Sequence, residues 1–150
     1  MGSFAWALTA QSAETRGPTI ILHQMTRPAD ILVIEDDAIM REAVAEWLHA
    51  AGYSVRTAED GNAGLACVYA AAPALVITDI QMAGTSGTVV IAELKRIHAE
   101  IPIIAISGVF ESGYGIDAAG AVSLGAARAL SKPFRRGELL AAVTELLAKS

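Results

Sequence analysis

A doubly wound α/β fold, with a five-stranded parallel sheet and helices on both faces, is what this sequence predicts. Two observations carry the prediction. Short, unbroken apolar runs recur along the chain, and the segments between them repeat apolar residues at helical spacing. Strands that alternate with helices in this way form right-handed βαβ crossovers and a sheet covered on both sides. A third observation points the same way: the polar chemistry gathers just after the apolar runs, where such sheets bind ligands.

The elements follow in order. Ile31-Leu32-Val33-Ile34 has no polar break and ends in Glu35-Asp36-Asp37, as a strand buried on both faces should. Ile39, Ala43, Trp47, Leu48 and Ala51 then recur at helical spacing, and Gly52 stands where a C′ glycine ends a helix. Tyr53 to Ala58 reads as the second strand. Asp60 is placed to N-cap a helix through Leu65, Val68 and Tyr69, which Pro73 stops. Leu75-Val76-Ile77-Thr78 is the third strand, ending at Asp79. After a glycine-rich loop, Val90, Ile91, Leu94 and Ile97 mark a third helix, and Ile101 to Ile106 a fourth strand ending at Ser107. Gly108 to Gly125 reads as a loop and then a short helix around Asp117–Leu124. Ala127 to Leu130 is the fifth strand, followed by Lys132-Pro133. Leu139, Leu140, Val143, Leu146 and Leu147 form the apolar face of a last helix.

Composition narrows the function classes. A chain of 150 residues builds one sizeable core, and 53% apolar against 18% charged residues argues against disorder. The net charge of −5 disfavours nucleic acid and anionic membrane surfaces, which select basic footprints. Cys67 is the single cysteine, so an intrachain disulfide and a multi-cysteine zinc site are excluded; it reads as a small buried apolar residue. No apolar run reaches the roughly 18–20 residues of a membrane span, so no membrane insertion is expected. His23, His49 and His98 lack metal-ligand spacing. Residues 1–28 show no sustained period and none of the marks of a signal peptide; they read as a flexible N-terminal extension preceding a domain over residues 29–150. Met25 is a candidate start, and Ile20-Ile21-Leu22 could pack on the domain or a partner.

Two strand ends, the first and the third, contribute Glu35, Asp36, Asp37 and Asp79, Ser107 follows the fourth strand and Lys132 the fifth, so these groups converge on one rim. Crowded carboxylates raise one another's pKa unless a cation joins them, and a hard divalent ion such as Mg²⁺ meets that demand. One carboxylate can then attack phosphorus, while hydroxyl, ammonium and metal hold the charge on the transferring oxygens.

The segments Ile31-Leu-Val-Ile-Glu-Asp-Asp, Leu75-Val-Ile-Thr-Asp-Ile-Gln-Met, Ile103-Ile-Ala-Ile-Ser-Gly and Leu130-Ser-Lys-Pro-Phe resemble the response-regulator receiver family over roughly residues 29–149. The resemblance implies a flavodoxin-like sheet and a phosphoacceptor switch that catalyses only its own phosphorylation and dephosphorylation. It makes Asp79 the acceptor of a phosphoryl group from a histidine kinase or phosphotransfer protein. Mg²⁺ (or Mn²⁺) would be held by Glu35, Asp36, Asp79 and the backbone carbonyl of Gln81, whose side chain would help set the dephosphorylation rate. Ser107 would be the switch hydroxyl and Lys132 the partner of a phosphoryl oxygen. The Lys132–Pro133 peptide is expected to be cis. Asp37 extends the acidic rim or starts the first helix.

The chain also departs from that pattern. Ala129 replaces the usual Tyr or Phe, and Phe110 or Tyr114 is a candidate substitute. Ser107 and Lys132 lie 25 positions apart, with the extra residues in the glycine-rich stretch, where a mobile or rebuilt loop is expected. Ala83 replaces a common proline, which should loosen Met82–Gly87; Gly108 leaves the site open to donors; Val109 implies slow to moderate self-dephosphorylation. The reading is of a stand-alone, cytoplasmic response regulator that signals by protein contact. A degenerate, phosphorylation-independent interaction module is the alternative. A haloacid-dehalogenase-like phosphatase would want an acid at Gln81, and a nucleotide-binding Rossmann domain a glycine fingerprint after the first strand.

Overall fold

Three apolar runs, Ile31–Ile34, Leu75–Ile77 and Ile103–Ile106, are wholly buried, which places their strands at the centre of one sheet. The computed structural model describes residues 28–149. The expectations for the N-terminal extension, Met25, Ile20-Ile21-Leu22 and His23 lie outside the described residues. Ten elements alternate along the chain: β1 Asp30–Ile34, α1 Ala38–Ala50, β2 Ser54–Ala58, α2 Gly61–Ala70, β3 Leu75–Asp79, α3 Gly87–Ile97, β4 Ile103–Ser107, α4 Ala118–Leu124, β5 Arg128–Ser131 and α5 Arg136–Ala148. All strand pairs are parallel, in the order β2-β1-β3-β4-β5. This is the doubly wound α/β architecture that the alternation predicts.

Strand side chains point alternately to opposite faces, so an unbroken apolar run feeds two cores. Leu32, Ile34, Val76, Ile103 and Ala105 pack with Val68 of α2, Val90, Ile91 and Leu94 of α3, and Ala121 of α4. Ile31, Val33, Leu75, Ile77, Ile104 and Ile106 pack with Val44 and Leu48 of α1 and with Leu139 and Val143 of α5. Each fully buried Leu, Ile or Val contributes about 1.5–3 kcal/mol from the water it sheds.

The helix starts are set by short polar side chains. Asp37 accepts from the N–H groups of Ile39 (2.9 Å) and Met40 (3.3 Å), Asp60 from Ala63 (2.7 Å), Ser86 from Thr88 (3.1 Å) and Asp117 from Gly120 (2.8 Å). Each such cap is worth about 1 kcal/mol. Gly52, at φ +100°, turns the chain out of α1 as the sequence predicts.

Several details differ from the sequence reading. Ile39 and Tyr69 keep helical spacing but face outward, 83% and 60% exposed. The fully buried stripes are narrower than the spacing suggests: in α1 only Val44 and Leu48 are fully buried, and in α2 only Val68 with Gly61 and Gly64, while Met40, Trp47, Leu65 and Cys67 pack at the margins. The Tyr69 hydroxyl instead donates to Glu93 Oε2 on α3, at 2.6 Å. β4 starts at Ile103, not Ile101, since Pro102 has no N–H to donate; its carbonyl accepts from Val76 at 3.1 Å. Cys67 is half-buried at the margin of the core rather than inside it. Trp47 meets Phe134 edge to face, with ring centroids 6.4 Å apart.

Gly87 opens α3 beneath the end of β3. A Cβ there would stand 2.1 Å from the Asp79 carbonyl oxygen and 2.7 Å from Ile80 Cα, both rigid backbone atoms. Gly137, early in α5, has no atom within 4 Å of such a Cβ. Gly87→Ala is therefore expected to destabilise the protein by about 1–3 kcal/mol through overpacking. Gly137→Ala should stabilise it by about 0.4–1 kcal/mol by restricting the unfolded chain. Urea unfolding of the two variants beside the wild type reads both signs.

Candidate functional site

β1 and β3 are neighbours in space, yet the chain leaves β1 toward β2 on one side and continues from β3 toward β4 on the other. That reversal opens a crevice at the carboxyl ends of β1 and β3. The register pairs Ile34 with Thr78, so Glu35 and Asp79 follow side by side.

Glu35 is fully buried. Its Oε2 accepts the N–H of Asp37 at 3.1 Å, and its main-chain N–H donates to Ala58 O at 3.0 Å. Its Oε1 makes no well-formed hydrogen bond, although the Lys132 ammonium lies 2.8 Å away as an ion pair. The contact is a close ion pair rather than an aligned hydrogen bond. Lys132 Nζ also lies 3.1 Å from Asp79 Oδ2. Asp79 is 3% exposed, and its Oδ1 accepts the Gln81 N–H at 3.1 Å. Asp36 is exposed and has no hydrogen-bond or ion-pair partner among the described residues.

One oxygen from each of Glu35, Asp36 and Asp79 lies within 4.8 Å of the others. Three hard oxygen donors, two of them buried and one with an oxygen that no hydrogen bond fills, fit a divalent cation such as Mg²⁺. One ammonium does not balance three carboxylates. Burial, joined by the charge of Asp79, pushes Glu35 up to about 6, against the opposing pull of Lys132 and the Asp37 N–H. Burial works against the charge of Lys132, but the Glu35 and Asp79 carboxylates beside it prevail and hold its pKa above the ordinary value. The cost of burial therefore falls chiefly on Glu35.

Asp37 does not join this cluster. It caps α1, the helix-starting role, because its backbone is extended and its side chain turns to the N–H groups of the first turn. Ser107 is fully buried at the end of β4, one residue past Ile106, the register partner of Asp79. Its Oγ accepts the Val109 N–H at 3.1 Å, and its carbonyl accepts the Lys132 N–H at 2.8 Å, tying the ends of β4 and β5. The Lys132–Pro133 peptide is cis. Gly108 is exposed, and a Cβ there would meet only Lys132 Cβ, at 3.9 Å. The Gln81 side chain is exposed and close to Gly115 in the glycine-rich loop.

Ala129 sits half-buried on β5, paired with Ala105, against the core cluster that contains Phe110. Phe110 is 5% exposed while Tyr114 is 78% exposed, so of the two aromatic candidates only Phe110 shares the cluster with Ala129. The loop between them turns on Ser112, whose Oγ donates to Val109 O at 2.7 Å and accepts from Tyr114 N at 3.1 Å. Sequence reasoning passes over Arg41, whose Nη1 donates to the main-chain oxygen of Glu35 at 2.8 Å. A lone arginine one turn into a helix carries no motif; only its place six residues after Glu35 hints at the contact.

The family model for the response regulator receiver domain matches residues 31–144. The response regulator MprA of Mycolicibacterium vanbaalenii is 34% identical over 126 residues, covering 82% of this chain and 52% of that protein. The nitrogen assimilation regulatory protein NtrX of Azorhizobium caulinodans is 36% identical over 113 residues, covering 74% of this chain and 24% of that protein. This chain thus spans about half the length, or less, of these curated relatives. The crystal structure of the receiver domain of NtrX from Brucella abortus superposes with a TM-score of 0.73 at 34% identity, covering 81% of this chain and all of that one.

The Glu35 shift sets a pH dependence. Between its ordinary 4.5 and about 6, the folded protein keeps a proton that the unfolded chain has released. Stability from this group is full below that window and is lost as pH rises through it, by on the order of 1–2 kcal/mol. In chelator-treated protein, thermal melts across the window should show Glu35→Gln gaining on the wild type as pH rises. A constant difference between the two would contradict the raised value.

Proposed function

The chain belongs to the response-regulator receiver family, and from that premise we propose that Asp79 accepts a phosphoryl group from a histidine kinase or histidine phosphotransfer protein. The observation that carries this reading is the setting of Asp79: nearly buried, bonded at Oδ1 by Gln81 N–H, and 3.1 Å at Oδ2 from the Lys132 ammonium. In the step, a bond forms between an Asp79 oxygen and phosphorus while the P–N bond to the donor imidazole breaks. Lys132 brings a fixed positive charge to the oxygens in transfer, where a pre-placed cation is worth most. Ser107 supplies a hydroxyl at the neighbouring strand end. Glu35, Asp36, Asp79 and the Gln81 carbonyl would hold Mg²⁺ or Mn²⁺, which when bound supplies neutralising charge. Water attack on the acyl phosphate resets the switch.

Phosphorylation adds about −1.5 to −2 charges to a rim that is already acidic. The signal is then a shift between two arrangements of the surrounding loops, read by protein contact. A cytoplasmic location goes with this reading. No helix among the described residues is long and apolar enough to cross a membrane. The curated relatives are longer regulators, so the stand-alone arrangement finds no support in them.

Ala129 favours a second reading, a phosphorylation-independent interaction module, because β5 carries no aromatic side chain there to move with Ser107. Incubation with acetyl phosphate and Mg²⁺ separates the two. We expect a phosphorylated species by intact mass, its loss on chelation, and no label in Asp79→Asn. A label that persists in Asp79→Asn would remove Asp79 as acceptor, and no label in the wild type would favour the module.

A further inference from the structure

We propose that Arg41 is a positioning residue for divalent-cation binding: through Glu35 it holds the turn that presents two of the three carboxylates. The proposal rests on the reading of Glu35, Asp36 and Asp79 as a cation site. Glu35-Asp36-Asp37 is the whole connection between β1 and α1. Asp37 is committed to the helix cap, and Asp36 has no partner among the described residues to set its direction. The placement of the Asp36 carboxylate therefore depends on how the backbone on either side of it is held.

That backbone is fixed at its first residue from two sides. Glu35 N–H donates to Ala58 O of β2 at 3.0 Å, and Glu35 O accepts from Arg41 Nη1 at 2.8 Å. Arg41 N–H in turn donates to Asp37 O at 2.9 Å. Arg41 thus spans the turn, bonding its first residue with the side chain and its last with the main chain. A charged donor makes a stronger hydrogen bond than a neutral one, so the clamp is a stiff one.

Charge and geometry make opposite predictions here. A guanidinium beside the site repels an incoming cation, so if charge alone mattered, removing Arg41 would tighten Mg²⁺ binding. If Arg41 acts by holding the turn, its removal loosens two of three ligands and weakens binding. The sign of the change decides between them. Arg41 is half-buried along an open cleft of about 360 Å³ shared with Thr57, Ala58, Glu59 and Ala63, so truncation leaves solvated space rather than a sealed void.

The test is calorimetric titration of Mg²⁺ into the full chain as wild type, Arg41→Ala, Arg41→Met and Arg41→Lys. Far-UV circular dichroism and unfolding curves accompany each. Arg41→Met keeps the aliphatic stem and serves if Arg41→Ala does not fold. We expect about 10-fold weaker binding in the Ala and Met variants, equivalent to about 1.4 kcal/mol. Arg41→Lys, which retains a donor and the charge, should recover most of it. Unchanged or tighter binding in Arg41→Met overturns the proposal, as does a Lys variant no better than Met. A wild-type chain that takes up no Mg²⁺ sinks the cation-site reading and this proposal with it. Wild-type uptake that the variants match sinks this proposal alone.

Discussion

Two buried carboxylates share one ammonium. Glu35 and Asp79 lie at the ends of adjacent central strands, and Lys132 reaches both from beyond β5. Taking these charges out of water is costly, and one cation against two anions, with Asp36 beside them, leaves negative charge in excess. The excess is what gives the site its chemistry. Burial first, with the charge of Asp79 added to it, lifts Glu35 toward neutrality, and the excess makes the cluster receptive to a divalent ion.

The sheet exists, in this respect, to keep that imbalance from relaxing. β1, β3 and β4 are locked by helices on both faces, so their carboxyl ends cannot spread to let carboxylates move apart. α3 presses on the β3 end so closely that only glycine fits at residue 87. The Glu35–Asp37 turn is held by Arg41 and by the Asp37 cap. Ser107 and Lys132 are tied to each other through the backbone at the β4–β5 margin. The parts that carry charge are thus each attached to an element that cannot shift without unpacking a core.

Much of this was legible from residue order. Short apolar runs bounded by turn and polar residues read as strands that feed two cores, and Ile31 to Ile34 divide between the two clusters as alternation requires. Asp60 is a cap because a short acid before an apolar period has that use in any fold. Where the reading missed, the cause was tertiary. Ile39 and Tyr69 satisfy the helical period yet face solvent, since periodicity sets a face and not its width. Cys67 has a core residue's character but lies at the margin of the packing. Asp37 stands in a row of three acids, and only the extended backbone before α1 assigns it to the helix rather than to the cluster.

The sequence by itself determined the alternating α/β architecture, the strand ends at which acids, hydroxyl and lysine accumulate, and the family they resemble. All of these follow from local pattern and from the fixed geometry of strands and helices. Tertiary structure alone decided which of the four acids share a site, that Lys132 sits on Glu35 as well as Asp79, that Phe110 and not Tyr114 occupies the core near Ala129, and that Arg41 braces the turn. These are contacts between residues far apart in sequence, or directions of side chains around a backbone bend. Neither is encoded in spacing; both are set by which faces the packed sheet leaves open.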